Sequence, residues 1–119
     1  MKSVGDNFEE QAAQWLVDQG CKLVARNFRA KPGEIDIIAL DQGCLVFLEV
    51  RVRRHTGYAS AAASVDWRKQ RRIAGAAQVF LQRHPQLTDL PCRFDVIAFQ
   101  PPQSGAGLAL HWIRAAFTA

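Results

Sequence analysis

The chain has 119 residues, a formal net charge of +4, an apolar fraction of 49% and a charged fraction of 22%, proportions that predict one globular domain with a single core. Its eight glycines and five prolines are scattered, which excludes collagen-like and low-complexity classes; no apolar run approaches a membrane span, and the charged start at Met1-Lys2-Ser3-Val4-Gly5-Asp6 predicts no secretory signal. Three cysteines (Cys21, Cys44, Cys92) without CxxC spacing predict reduced thiols in a cytoplasmic protein, against both a disulfide scaffold and a zinc site.

The periodicity predicts a helix over residues 4–19, with Phe8, Ala12, Trp15 and Leu16 on one apolar stripe and Gly20 as its C-terminal cap. Glu9 falls on the border of that stripe, and Glu10 points away from it. Residues 22–28 read as a strand, followed by a turn at Pro32-Gly33. Two further strands, 34–40 and 44–53, flank the turn Asp41-Gln42-Gly43. A loop through Gly57 and the Ala-rich stretch 59–63 leads to Asp66, the N-cap of a second helix ending near Arg83 and stopped by Pro85. Ile73, Ala76, Ala77 and Phe80 form that helix's core stripe, and Lys69 extends the row one turn earlier. Strands at 93–99 and 108–113 complete the chain, with a loop at 101–105 between them. Phe8, Trp15, Phe80 and Phe94 are core residues on this reading. The order αβββαββ predicts an α/β sandwich with a mixed sheet and no domain boundary within residues 1–119.

The central hairpin carries the chemistry. In the strand 44–53, Val46, Leu48, Val50 and Val52 alternate with Leu45, Phe47, Glu49, Arg51 and Arg53. A two-residue loop at Gln42-Gly43 puts Asp36 opposite Glu49 and Glu34 opposite Arg51, all on one face; one more loop residue would separate the two acids. Like charges directly opposed destabilise a sheet, so the acids should raise one pKa or bind a hard divalent cation. The competing reading is a lattice of ordinary ion pairs, with Arg29 near Asp36 and Glu34 on Arg51.

Charge is unevenly placed. Residues 1–50 carry a balance of −3, residues 51–72 carry +6 and the remainder +1. The basic segment holds Arg51, Arg53, Arg54, Arg68, Lys69, Arg71 and Arg72 together with His55, Tyr58 and Trp67, a density that suits phosphate neutralisation. Tyr58 and Trp67 could stack on bases, although a Trp at a helix start ordinarily packs. No spacing among His55, His84 and His111 suggests a metal site, and Arg93 with Asp95 reads as a sheet brace.

Several stretches resemble a known family: Gly5-x3-Glu9-x2-Ala12-Ala13-x2-Leu16, Arg26-Asn27-Phe28-Arg29, Gly33-Glu34-Ile35-Asp36-Ile37-Ile38, Phe47-Leu48-Glu49-Val50-Arg51-Val52-Arg53, Asp66-x2-Lys69-x-Arg71-Arg72 and Cys92-Arg93-Phe94-Asp95-Val96. Together they look like the YraN family of small bacterial proteins, which is similar in fold to archaeal-type Holliday junction resolvases and restriction-endonuclease-like nucleases. The resemblance implies an αβββαβ core, a mixed central sheet flanked by two helices, and endonuclease activity on branched, flapped or single-stranded DNA with Mg²⁺ or Mn²⁺. It implies metal ligation by Asp36, Glu49, the Val50 carbonyl and Glu9; the basic density itself points to Arg53, Arg54, Arg68, Lys69, Arg71 and Arg72 gripping nucleic acid. A homodimer stays open, since junction resolvases act on two-fold substrates, but no decisive dimer patch is visible. The chain departs from the nuclease pattern at Arg51, where that pattern has lysine. Arginine can hold a phosphate bidentately but cannot lose its proton near neutral pH. Lys69 is the nearest substitute, although its ordinary reading is a solvent-facing lysine. The alternatives to a nuclease are a non-catalytic nucleic-acid-binding module of the same fold, or a protein–protein adaptor.

Overall fold

A computed structural model describes residues 4–54, 61–102 and 104–118. The elements follow the predicted order: α1 (Val4–Asp18), β1 (Lys22–Arg29), β2 (Glu34–Asp41), β3 (Cys44–Val52), α2 (Trp67–Arg83), a 3-10 turn at Pro85–Leu87, β4 (Cys92–Gln100) and β5 (Ala109–Phe117). His55, Gly57 and Tyr58 lie outside the described residues. The five strands form one sheet in chain order, antiparallel except that β3 and β4 run parallel. Parallel neighbours need a long crossover, and α2 with its flanking loops supplies it.

Local chemistry sets the ends of the helices. At Gly20 the chain turns left-handed (φ 95°), its N–H donating to Val17 O and that of Cys21 to Leu16 O, a glycine cap that closes α1. Asp66 caps α2 by accepting the Lys69 N–H at 2.9 Å. The helices cover opposite faces of the sheet. Leu45 and Phe47 pack beneath Ile73, Ala76, Ala77 and Phe80 of α2, while Val46 and Leu48 pack against Ala12, Ala13 and Leu16 of α1. The alternation along β3 therefore assigns Glu49 to the α2 side. All three cysteines are free, and among the described residues no helix is long and apolar enough to cross a membrane.

Two glycines let α2 settle closely. A Cβ on Gly33 would lie 2.6 Å from the Arg72 carbonyl oxygen, and one on Gly75 would lie 2.7 Å from the Pro32 ring. The β1–β2 turn thus abuts the helix closely, Gly33 against the Arg72 backbone and the Pro32 ring against Gly75.

The opposite face of β4 holds a buried polar brace. Asp95 is fully buried and accepts from Arg93 Nε at 3.0 Å, Trp112 Nε1 at 2.8 Å and the Ala115 N–H at 2.8 Å. Arg93 reaches on to Asp41 at 2.7 Å. The brace explains why β5 outruns the expected 108–113. Ala115 adopts φ 50° where the β4–β5 register slips, and the Asp95 carboxylate takes its amide so that the strand can continue to Phe117.

Gly33→Ala is expected to lower stability by about 1–3 kcal/mol, because backbone rather than a flexible side chain must yield; denaturant unfolding checks this. Asp95→Ala should cost about 3 kcal/mol or more, since it strands the Trp112 and Ala115 donors and half-releases Arg93, and the same unfolding assay reads it.

Candidate functional site

The hairpin register matches expectation where the strands stay paired, from Asp41–Cys44 to Ile37–Leu48. One step further the ladder would direct the Val50 amide at the backbone of β2. Instead that N–H donates to the Asp36 carboxylate, Oδ2, at 2.8 Å. The side chain has replaced a backbone acceptor, and β2 and β3 part there.

Asp36 and Glu49 meet at this opening as a hydrogen-bonded carboxyl pair. Glu49 is 7% exposed. Burial, then the Asp36 charge and its hydrogen bond, raise the Glu49 pKa from 4.5 to about 8, partly offset by Lys69 and Arg51. Burial beside Asp36 thus holds Glu49 toward its protonated form near neutral pH. The pleat also turns the Val50 carbonyl toward the opening, since N–H and C=O of one strand residue share an edge.

The neighbouring cations differ from the sequence expectation. Lys69 is not a solvent-facing lysine: its Nζ stands 3.6 Å from Glu49 Oε2, because the first turn of α2 lies over the Glu49 side of β3. Glu34 and Arg51 do not pair. With β2 and β3 parted at Asp36, Glu34 bridges instead to Arg29 across β1–β2 at 3.2 Å. Arg51 turns to the loop before α2, donating to the Ser64 carbonyl and, at 3.5 Å, to its hydroxyl. The ion-pair lattice thus exists with other partners, and Asp36 is not neutralised by Arg29.

Glu9 is half-buried on α1, the helix that covers the opposite face. Among the described residues no group of three or more His, Cys, Asp or Glu side chains stands ready to hold a metal ion. Asp36, Glu49 and Val50 come together; Glu9 does not complete a triad with them in this arrangement.

The basic residues divide. Arg53 is half-buried and its Nη1 lies 3.5 Å from Gln100, whereas Arg54, Arg68, Arg71 and Arg72 are exposed. Trp67 does not pack as expected at a helix start; it is 60% exposed, with the guanidiniums of Arg68 and Arg71 5.7 and 5.6 Å from its ring centroid. Ser64 carried no signal in the sequence, since an isolated loop serine names no partner. The exposure of Trp67 did carry one: at 100° per residue it lies far from the Ile73–Phe80 stripe.

A family model described as "Uncharacterised protein family UPF0102" matches residues 8–99. A UPF0102 protein of Alcanivorax borkumensis is 52% identical over 98% of this chain and 92% of its own. One from Pseudomonas entomophila is 48% identical over 95% and 91%, and one from Stutzerimonas stutzeri is 47% identical over 98% and 95%.

The raised Glu49 pKa fixes a pH dependence. Between about 4.5 and about 8 the folded chain keeps a proton that the unfolded chain has lost, so stability is full below that window and falls as pH rises through it. Glu49→Gln removes the titration while keeping the shape. It is expected to melt with the parent at pH 4 and roughly 5 °C higher at pH 8.5, as thermal melts across that range would read.

Proposed function

The chain belongs to the UPF0102 family, and from that premise we propose that it is a divalent-metal-dependent endonuclease acting on branched, flapped or single-stranded DNA. One observation carries the reading: two carboxylates meet at the opening between β2 and β3, with a lysine 3.6 Å from Glu49 and the Val50 amide on Asp36. A structural ion pair would put a cation between such groups. A carboxyl pair poised to exchange its proton for Mg²⁺ or Mn²⁺ suits a hard-ion site, since Mg²⁺ takes one or two carboxylates and fills its shell with water and phosphate oxygens.

Asp36, Glu49 and the Val50 carbonyl would hold the cation; Glu9, on the helix over the opposite face, stands outside that set. A bound cation would polarise the scissile phosphate and acidify a water. Lys69 takes the part that the nuclease pattern gives to its lysine, because it alone of the two candidates has a titratable amine beside Glu49. Its charge holds the attacking water or a phosphate oxygen next to the carboxylates. Arg51 keeps the pre-helix loop, and with it the start of α2, in place. Arg53, Arg54, Arg68, Arg71 and Arg72 supply positive charge to the flanking backbone.

A non-catalytic nucleic-acid-binding module is the second reading, and the commitment of Arg51 to Ser64 favours it, since the residue at the lysine position is occupied structurally.

Labelled junction, flap, duplex and single-stranded substrates with Mn²⁺ or EDTA separate these readings. Cleavage is expected only with the metal, reduced at least about 100-fold in Asp36→Asn and Lys69→Ala. Metal-dependent cleavage surviving in Asp36→Asn would mark a contaminant and overturn the nuclease. Salt-sensitive binding without cleavage would leave the binding module.

A further inference from the structure

The outer side of α2 carries a feature that the carboxyl site does not use. Trp67 is 60% exposed at the first position of the helix, and its ring contacts among the described residues are the guanidiniums of Arg68 and Arg71. Beside it a cleft of about 230 Å³ is lined by Trp67, Gln70, Arg71, Ala74 and Thr118, between the helix flank and the end of β5. The first turn of α2 holds no acidic residue, and Arg72 adds a further exposed charge. Trp67 and Lys69 stand about 200° apart around the helix, so the cleft lies outside the carboxyl opening and flanks it.

The exposed indole beside an open cleft offers a flat apolar surface framed by two guanidiniums. The charge around it selects an anion, and the flat apolar ring selects one with a planar face. A duplex offers phosphates but keeps its bases stacked on each other. An acidic peptide offers charge without the planar face. A single-stranded nucleic acid offers both, with an unpaired base to lie on the indole and phosphates for the arginines.

We propose that Trp67, with Arg68 and Arg71, forms a stacking platform for an unpaired nucleotide of a single-stranded segment, the cleft receiving the edge of its base. The inference rests on the nucleic-acid reading above and names the form of the polymer that this flank accepts. An unpaired nucleotide of this kind occurs at a flap, a junction or a free single strand, so the platform would select those over plain duplex.

The test is binding by the full chain in EDTA, with fluorescence anisotropy of a labelled oligothymidylate and of a labelled duplex. Trp67→Ala is expected to weaken oligothymidylate binding about tenfold and Trp67→Phe only about threefold, with duplex binding nearly unchanged in both. Because Trp67 is mostly exposed, both variants should melt close to the parent. No binding of oligothymidylate, no effect of Trp67→Ala, or an equal loss on duplex would overturn the platform. So would polyglutamate of matched charge competing as well as unlabelled oligothymidylate, since the surface would then recognise charge alone. Loss of cleavage in Mn²⁺ with Trp67-dependent binding intact would remove the nuclease and leave the platform; cleavage intact without Trp67 dependence would do the reverse.

Discussion

The Asp36 carboxylate accepting the Val50 amide is the contact on which the site depends. In a continuous hairpin that amide would bond to a carbonyl of β2, and the side chains of residues 36 and 49 would stand over a closed ladder. With a carboxylate as acceptor, the strands part, and the acid is held beside Glu49. A buried amide and a charged oxygen satisfy each other in one bond. Burial beside another carboxylate makes Glu49 hold its proton up to about pH 8. Folding thus stores an unfavourable charge arrangement at one point of the sheet, which is a common mark of a functional site.

The second helix serves both sides of that point. Its inner row continues from the apolar Ile73–Phe80 stripe to Lys69, so the packing that buries Phe80 also delivers an ammonium to Glu49. Gly33 and Gly75 allow the close seating that makes this reach feasible. The outer row is Trp67, Arg68, Arg71 and Arg72, whose charges have no acidic neighbour in the first turn. Arg51 links strand and helix through Ser64, fixing the loop from which α2 starts. The far face has its own anchor in Asp95, whose three donors come from β4 and β5. The two polar clusters therefore sit on opposite faces of the sheet, Asp95 bracing β4 and β5 and Asp36 with Glu49 marking where β2 and β3 part.

How much was legible follows from the range of each interaction. The periodicity of residues 4–19 and 66–83, the cap residues Gly20 and Asp66 and the alternation along residues 44–53 are local, and they place the helices, the hairpin and the face of Glu49. The two-residue loop at Gln42-Gly43 fixes the register from Asp41–Cys44 to Ile37–Leu48, but the paired ladder ends there, one step short of Asp36 and Glu49. The extension of β5 to Phe117 was not legible, because it depends on a bulge satisfied by Asp95, twenty residues earlier.

By itself the sequence determined the α/β order, the face of β3 that carries Glu49 and the change of charge sign at Arg51, since each depends on neighbours along a strand or a helix turn. Only the tertiary structure decided which cation faces which anion. Arg51 left Glu34 for the neutral Ser64 carbonyl and hydroxyl, and Lys69 went to Glu49. Ion pairs of this kind are set by how the helix is seated over the sheet and by where two strands part. The Lys69 and Arg51 contacts are properties of packing between segments more than ten residues apart, and no spacing within one segment encodes them.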